Sequence, residues 1–257
     1  MAGARARAYG RPVADDAPAD LRPGVLLDVD GTLLDTNYLH VLAWWQAFRD
    51  CGVEDVDMAT VHRAIGIASE ELVQRVLGSG GLDQPPGGGG GAVDDDLVSR
   101  VSGAHSDRYE ALRDQAVAFP RTPDLLRALA DRGLAVVLAT SGGAGDLGWM
   151  VPAIGAEDAL SGTTTSDDVE AAKPAPDLLS VAVDQHGLDV SRTVVLGDTV
   201  WDVESARAAG VPCVALTCGG ISREELLQAG AVAVYRDPAD LLENLDGSPV
   251  GALLRTR

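Results

Sequence analysis

Lysine is all but missing from this chain. Its 257 residues include nineteen arginines and one lysine, Lys173. Arginine serves wherever a surface cation is needed. The lone lysine is therefore either chance or a place where a compact ammonium does what a planar guanidinium cannot. Positive charge is scarce overall, with 20 basic residues against 39 acidic ones and a formal net charge of −19. A surface that acidic repels nucleic acid and anionic membranes. This points to a small-molecule partner, and an anionic substrate would have to meet positive charge local to its site. No apolar run approaches the ~20 residues that span a bilayer. Residues 1–23 carry arginines but no apolar stretch, so they do not read as a secretory signal. Their Asp and Pro content reads as a disordered tail rather than an organelle leader. Cys51, Cys213 and Cys218 fall in no disulfide or metal-ligand spacing and read as reduced thiols of a cytoplasmic protein. Internal repeats are absent.

What is present is a core. The chain is 46% hydrophobic. Continuous apolar, β-branched runs predict strands at Val25–Leu27, Leu134–Ala139, Thr193–Leu196, Cys213–Leu216 and Ala231–Tyr235. Helical patterns lie between or beyond them at Pro123–Arg132, Pro176–His186, Val203–Ala209, Ser222–Ala229 and Pro238–Leu245. Gly133, Gly187, Gly210 and Gly230 sit where helix C-caps are expected. Buried strands alternating with helices indicate an α/β fold with a doubly wound parallel sheet of Rossmann-like type. From Asp35 to about Ala118 the rhythm breaks into helices alone: Asn37–Asp50, Met58–Ile65, Ser69–Leu77 and Asp94–Gln115. The expected organisation is a tail over 1–23, a core of 24–35 with 119–257, and an inserted helical cap over 36–118. Within the cap, "GSGGLDQPPGGGGGAVDDD" predicts a flexible loop over 78–93, a surface insertion in preference to a lid. Neither the tail nor this loop is expected to pack in the core. Trp44, Trp45 and Phe48 fall at helical spacing and read as cap core.

Ligands of open α/β sheets bind beyond the carboxyl ends of the strands. Asp28 and Asp30 follow the first strand, in "VLLDVDGTLLDT". Thr140, Ser141 and Gly142 follow the next, in "VVLATSG", and Gly197, Asp198 and Asp202 follow "VVL" in "VVLGDTVWD". Lys173 precedes the helix leading to that third strand. Each residue alone is as well explained by a turn or a helix cap. Together, four carboxylates at one mouth repel each other unless a cation joins them. A few hard oxygen ligands suit Mg²⁺. Side chains alternate faces along a strand, so an i, i+2 pair such as Asp28 and Asp30 can address one ligand from one side. Gly31 permits the tight turn that follows.

"DVDGTLLDT", a Thr ending an apolar strand, "KPAPD" and "GDTVWD" resemble, in order, the four motifs of the haloacid dehalogenase superfamily of phosphohydrolases, over about Val25 to Pro238. "DTNYLHVLAWWQAF" and "KPAPDLLSVAV" look like its branch of helical-cap members, the β-phosphoglucomutases and the sugar-phosphate and phosphoglycolate phosphatases. The resemblance implies that Asp28 is the nucleophile forming an aspartyl-phosphate and that Asp30 is the general acid and base. It implies Mg²⁺ on Asp28, the Asp30 carbonyl and Asp198, with Asp202 orienting Lys173 or acting through water. Thr140 and the amide after it would hold phosphoryl oxygens, with Gly31, Ser141 and Gly142 lining the phosphate site. Lys173 would neutralise charge on nucleophile and phosphate.

An acid at Asp30 favours phosphate esters, since halide departure needs no proton. The cap has no lysine, which disfavours phosphonate cleavage through a Schiff base. The rival within the family is a sugar phosphomutase. Mutases hold a distal phosphate with a cap arginine, and the corresponding stretch, "IGIASEELV", has none. Arg63 and Arg75 flank it and are candidate substrate contacts, with solvated helix charges as the default. His40 sits where mutases carry a cap histidine, and it reads equally as a partly buried helix residue beside Trp44. Asp35 and Thr36 are expected to cap the first cap helix and to form one hinge, with 118–122 forming the other. The expected activity is thus an Mg²⁺-dependent phosphatase acting on a small phosphorylated metabolite, as a monomer or a dimer. A non-catalytic or phosphoacceptor signalling protein on the same fold is the alternative of another class. The motifs suit phosphoglycolate, a sugar phosphate or a nucleoside monophosphate alike.

Overall fold

The computed structural model describes residues 21–78, 93–169 and 173–253. Along them run β1 (Arg22–Leu27), α1 (Asn37–Asp50), α2 (Met58–Ala64), α3 (Ser69–Leu77), α4 (Asp95–Glu110), α5 (Thr122–Asp131) and β2 (Ala135–Ala139). Then come α6 (Leu147–Ile154), β3 (Gly162–Thr164), α7 (Asp177–Gln185), β4 (Leu188–Gly197) and α8 (Val200–Ala208). The chain finishes with β5 (Cys213–Leu216), α9 (Arg223–Ala229), β6 (Ala233–Tyr235), α10 (Pro238–Glu243) and α11 (Pro249–Ala252).

The six strands form one parallel sheet in the order β3-β2-β1-β4-β5-β6. Winding runs outward from β1 to β3, returns to β4 beside β1, then runs outward to β6. The order therefore reverses between β1 and β4, where a doubly wound sheet leaves its ligand crevice. Alternation along the strands feeds two apolar layers. Val25, Leu27, Val136, Leu138, Val194 and Leu196 pack with Leu125, Leu129, Ile154 and Leu241. Leu26, Val137 and Val195 face the opposite layer with Leu178, Ala182, Val203 and Leu226. Burial on both faces explains why the strands read as unbroken apolar runs.

The fold class is as expected, and most elements lie within a few residues of their expected ends. Four differ. The first strand begins at Arg22, so the tail boundary at 23 falls too late: Arg22 N–H donates to Gly187 O at 3.1 Å and the residue pairs with Leu188. β4 begins at Leu188 instead of Thr193, its polar first half carried by that pairing. β3 is three residues, "GTT", with no apolar run to announce it. α6 carries Gly148 and Pro152, which mask its period. The expected fourth cap helix stops at Glu110, and a short 3₁₀ turn, Arg113–Gln115, follows it. The four expected C-capping glycines all take positive φ, from 60° at Gly187 to 116° at Gly230. Residues 1–20 and 79–92, covering most of the expected tail and loop, lie outside the described residues. Among the described residues no helix is long and apolar enough to cross a membrane.

α1 to α4 form the insert between β1 and α5. They enclose an apolar cluster of their own, with Trp44, Phe48, Val61, Leu72 and Val101 at its centre. Where the chain leaves and re-enters the core, Leu34 bridges Ala118 and Asp35 N–H donates to Val117 O at 2.8 Å. Trp201 on α8 belongs to the insert's cluster although its helix flanks the sheet. Its indole N–H donates to Arg63 O at 3.1 Å, and the Arg75 guanidinium lies 4.6 Å from the ring centroid. Trp201→Ala should therefore lower the unfolding free energy by about 3–5 kcal/mol, read by urea denaturation. A loss under about 1 kcal/mol would show that this indole does not tie the insert to the core.

Candidate active site

The reversal of strand order sets Asp28 and Asp198 side by side, one residue beyond Leu27 and two beyond its partner Leu196. Asp28 N–H donates to Leu196 O at 2.9 Å, which holds the two strand ends in register. Lys173 reaches this point from the segment before α7. Its Nζ donates to Asp28 Oδ1 at 2.6 Å and lies 2.7 Å from Asp202 Oδ1, with the side chain 1% exposed. Asp202 also closes a capping box at the start of α8: its Oδ2 accepts from Thr199 N–H at 3.0 Å and from Thr199 Oγ1 at 2.6 Å. The two readings of Asp202, helix cap and lysine partner, are both realised, one by each oxygen.

Asp198 is held from two sides. Thr32 Oγ1 donates to its Oδ1 at 2.9 Å, and Asn37 Nδ2 to its Oδ2 at 2.7 Å. Asn37 also donates to Gly219 O at 3.0 Å, joining the loop after β5 to the site. The turn at Gly31 has φ 78°, and a Cβ there would strike Asn37 and Asp198, so glycine is required on both counts. Asp30 lies beyond Asp28 on the cap side. Its Oδ1 accepts from Thr36 Oγ1 at 2.6 Å and faces His40 Nε2 at 3.3 Å. Thr36 occupies the N-cap position of α1 but makes no side-chain bond to that helix. This corrects the capping expectation: the hydroxyl donates to the Asp30 carboxylate, a charge-assisted bond, and accepts from no amide N–H of α1.

Thr140 is fully buried, and its Oγ1 accepts from Gly142 N–H at 3.0 Å, which leaves its own O–H as donor. Ser141 is turned to the insert, its hydroxyl donating to Gly66 O at 3.1 Å. Arg63 pairs with Glu225 on α9, and Arg75 Nε donates to Glu71 at 2.9 Å beneath Trp201. The structure thus gathers Asp28, Asp30, Gly31, Thr140, Lys173, Asp198 and Asp202 at one mouth, with Thr36 and His40 behind Asp30. It places Ser141, Arg63 and Arg75 in contacts between the insert and the core or within the insert.

Thr32 and Asn37 were not singled out in the sequence, since a Thr in a turn and an Asn opening a helix carry no chemical signature. Neither were His105 and Tyr109 of α4. Their signal was present, as an i, i+4 ring pair matching His40 and Trp44 of α1.

Burial dominates the electrostatics. It raises the Asp28 carboxyl to about 7, against the opposing Lys173 charge and with Asp202 adding to the rise. It pushes Asp198 well above the usual range, helped by Asp28 and then Asp202. For Lys173, burial opposes the charge, but Asp202 and Asp28 overcome it and raise the pKa. Asp30 behaves oppositely: burial is outweighed by the His40 charge and by hydrogen bonds from His40 and Thr36, and its pKa is lowered. Asp28, Asp198 and Asp202 each bring an oxygen within 4.8 Å of the others. Three buried carboxylates against one ammonium leave negative charge uncompensated, and the donors are hard oxygens. This set fits Mg²⁺.

Two outcomes test this electrostatic picture. Lys173→Arg should destabilise the protein by about 1–3 kcal/mol through overpacking, in a denaturant titration; a neutral result would show that the cavity has room for a guanidinium. His105 is buried and its imidazole pKa lies well below 6.5, first through burial and then through the His40 charge. As pH falls below 6.5 the unfolded chain binds a proton at this group that the folded chain refuses, so the contribution of His105 to stability declines by about 1.4 kcal/mol per pH unit. Above 6.5 this group has no effect. The parent should therefore lose stability relative to His105→Phe by about that amount per pH unit below 6.5; equal slopes in variant and parent would refute it.

The comparisons with known proteins follow the same geometry. A family model described as haloacid dehalogenase-like hydrolase matches residues 25–216. The phosphoglycolate phosphatase of Rhodospirillum rubrum is 29% identical over 219 residues, 84% of this chain and 88% of that protein. The phosphoglycolate phosphatase of Escherichia coli K12 is 29% identical over 247 residues, 88% of this chain and 93% of that one. The crystal structure of a hydrolase from Pseudomonas syringae superimposes with a TM-score of 0.77 at 32% identity, covering 88% of this chain and 99% of that one. With the model spanning all four motif segments and both strands of the crevice, the chain belongs to the haloacid dehalogenase-like hydrolases.

Proposed function

We propose that this hydrolase is an Mg²⁺-dependent, cytoplasmic phosphatase that cleaves a small phosphate monoester through an aspartyl-phosphate on Asp28. The observation that carries the reading is the pairing of two carboxylates at one mouth in opposite surroundings: Asp28 against Lys173, Asp30 against Thr36 and His40.

Asp28 Oδ1 is fixed by Lys173, so its other oxygen is the one presented to phosphorus. Attack forms the acyl-phosphate bond as the ester P–O bond breaks. Asp30 gives a proton to the departing oxygen and in the second half takes one from the attacking water. Its free-state partners favour the carboxylate, the form needed as base. An arriving phosphoryl anion opposes that ionisation, so Asp30 takes up a proton as substrate binds. Lys173 neutralises charge on Asp28, and the Thr140 O–H is placed to donate to a phosphoryl oxygen. Asp28, the Asp30 carbonyl and Asp198 would hold Mg²⁺, which supplies charge neutralisation to phosphate and nucleophile when bound. Thr32 and Asn37 keep Asp198 aimed at that position.

The relatives named phosphoglycolate phosphatase support a small ester as substrate. A monoester is favoured over a sugar bisphosphate because Arg63 and Arg75, the cap arginines flanking the mutase-like stretch, already face Glu225 and Glu71. The test is phosphate release from phosphoglycolate and a panel of sugar phosphates, with Mg²⁺ and with EDTA, beside Asp28→Asn. Turnover is expected with Mg²⁺ alone, and Asp28→Asn should reduce it on the order of 10³-fold or more. Turnover that survives the substitution removes Asp28 as nucleophile. A stable phospho-Asp28 without turnover makes the protein a phosphoacceptor instead.

A further inference from the structure

α1 and α4 cross behind Asp30, and each brings an i, i+4 pair of rings to the crossing: His40 and Trp44, His105 and Tyr109. The pairs interleave. Tyr109 stacks on His40 with centroids 3.7 Å apart, and Trp44 stacks on His105 at 3.8 Å. The two imidazoles also meet through their nitrogens, His105 Nε2 lying 3.2 Å from His40 Nδ1. His40 turns its remaining nitrogen, Nε2, to Asp30 Oδ1 at 3.3 Å. The geometry points to His105 as a positioning residue for the general acid: it fixes the plane of His40 and, together with the Asp30 carboxylate, its tautomer, so that Nε2–H faces the ionised Asp30. This inference rests on the phosphatase reading, because it is the proton transfer of Asp30 that it serves.

The argument is one of hydrogen-bond inventory. A histidine χ2 is broad, and a half-buried imidazole on a helix can turn either nitrogen outward. Which nitrogen carries the proton follows from what the other one bonds. His105 is 8% exposed, under Trp44, and its imidazole is kept neutral by burial, so its Nε2 is either donor or acceptor. If that Nε2–H donates, His40 Nδ1 accepts, and the proton of a neutral His40 sits on Nε2. If His40 is charged, its Nδ1–H donates to the His105 lone pair, and Nε2–H again points at Asp30. Both cases give Asp30 a donor in the same place; the remaining one, a neutral His40 donating Nδ1–H to His105, would set the Nε2 lone pair against the Asp30 carboxylate at 3.3 Å and is excluded while Asp30 is ionised. Without His105, the flipped ring and the other tautomer become open to His40, and Asp30 loses a fixed partner.

The experiment compares two esters that the wild-type enzyme turns over. An alkyl phosphate, such as a sugar phosphate, needs a proton on its leaving oxygen. p-Nitrophenyl phosphate does not, because the phenolate departs unaided. His105→Phe keeps a ring under Trp44 and removes the hydrogen bond; His105→Gln keeps a polar group near the Nε2 position. His105→Phe should lower kcat for the alkyl ester about tenfold more than for p-nitrophenyl phosphate, a part of what a general acid supplies, and His105→Gln should recover most of that gap. The ¹⁵N shifts of the His40 ring should report Nε2–H in the wild type and His105→Gln, and mixed tautomers in His105→Phe. If His105→Phe does not fold, His105→Asn, which draws the polar group back from Nε2, takes its place. Equal losses on both esters, or no loss on either, overturn the role of His105 alone. Wild-type protein inactive on every ester with Mg²⁺ would instead sink the phosphatase reading.

Discussion

The Lys173 ammonium, held between Asp28 and Asp202, is the contact around which the crevice is arranged. A buried ion pair recovers its desolvation cost only when geometry and further hydrogen bonds are good. Here the ammonium meets two carboxylates within 2.7 Å, and Asp202 is further tied to the amide and hydroxyl of Thr199. The arrangement works because the strand order reverses between β1 and β4, so that two strand ends, a helix N-terminus and the segment before α7 converge. Each comes from a different part of the chain, and each contributes one polar group. The scarcity of lysine then has a structural counterpart. The sequence uses its one ammonium at the place where a guanidinium would have to be accommodated with almost no solvent access.

The insert is the second half of the same construction. It contacts the core through Gly66 to Ser141, His62 to Gly219, Arg63 to Glu225 and Trp201 to Arg63. These contacts occupy several groups that would otherwise be free to meet a ligand. They also bring α1 and α4 over Asp30, so that this carboxylate takes its partners from the insert while Asp28 takes its own from the core. Two carboxylates two residues apart thereby acquire opposite environments, as the proposed division of nucleophilic and acid–base work requires.

Much of this was legible in the sequence, and the reasons are specific. β1, β2, β4 and β5 are buried on both faces, so their apolar runs stood out, and whatever followed them had to lie at the ligand-binding edge. Asp28, Asp30 and Asp198 were found in that way, and Lys173 as the one lysine of the chain, in "KPAPD". β3 and α6 were not, because a three-residue "GTT" edge strand has no pattern and a helix holding Gly148 and Pro152 hides its period. The cap was the least legible part. The signal for His40 and His105 was two ring pairs at helical spacing on helices far apart in sequence, and nothing local says that such pairs interleave. Ser141, Arg63 and Arg75 show the converse: chemistry-bearing residue types near a site whose side chains are occupied by packing two units together.

The overall charge returns as a constraint on mechanism. A chain of net charge −19 that is to bind a phosphoryl anion must create positive potential over a few ångströms. It has one lysine there, and the arginines that flank the mutase-like stretch already face carboxylates. The remaining route is indirect. Burial, with neighbouring carboxylates adding to it, raises the pKa of Asp28 and Asp198 at the β1 and β4 ends and so favours a divalent cation, and a bound cation inverts the sign of the site for an incoming phosphate. On this view the acidity at the mouth is not at odds with an anionic substrate. Under the proposed reading it is the means by which an acidic protein would assemble a positive site without placing more basic residues in its core.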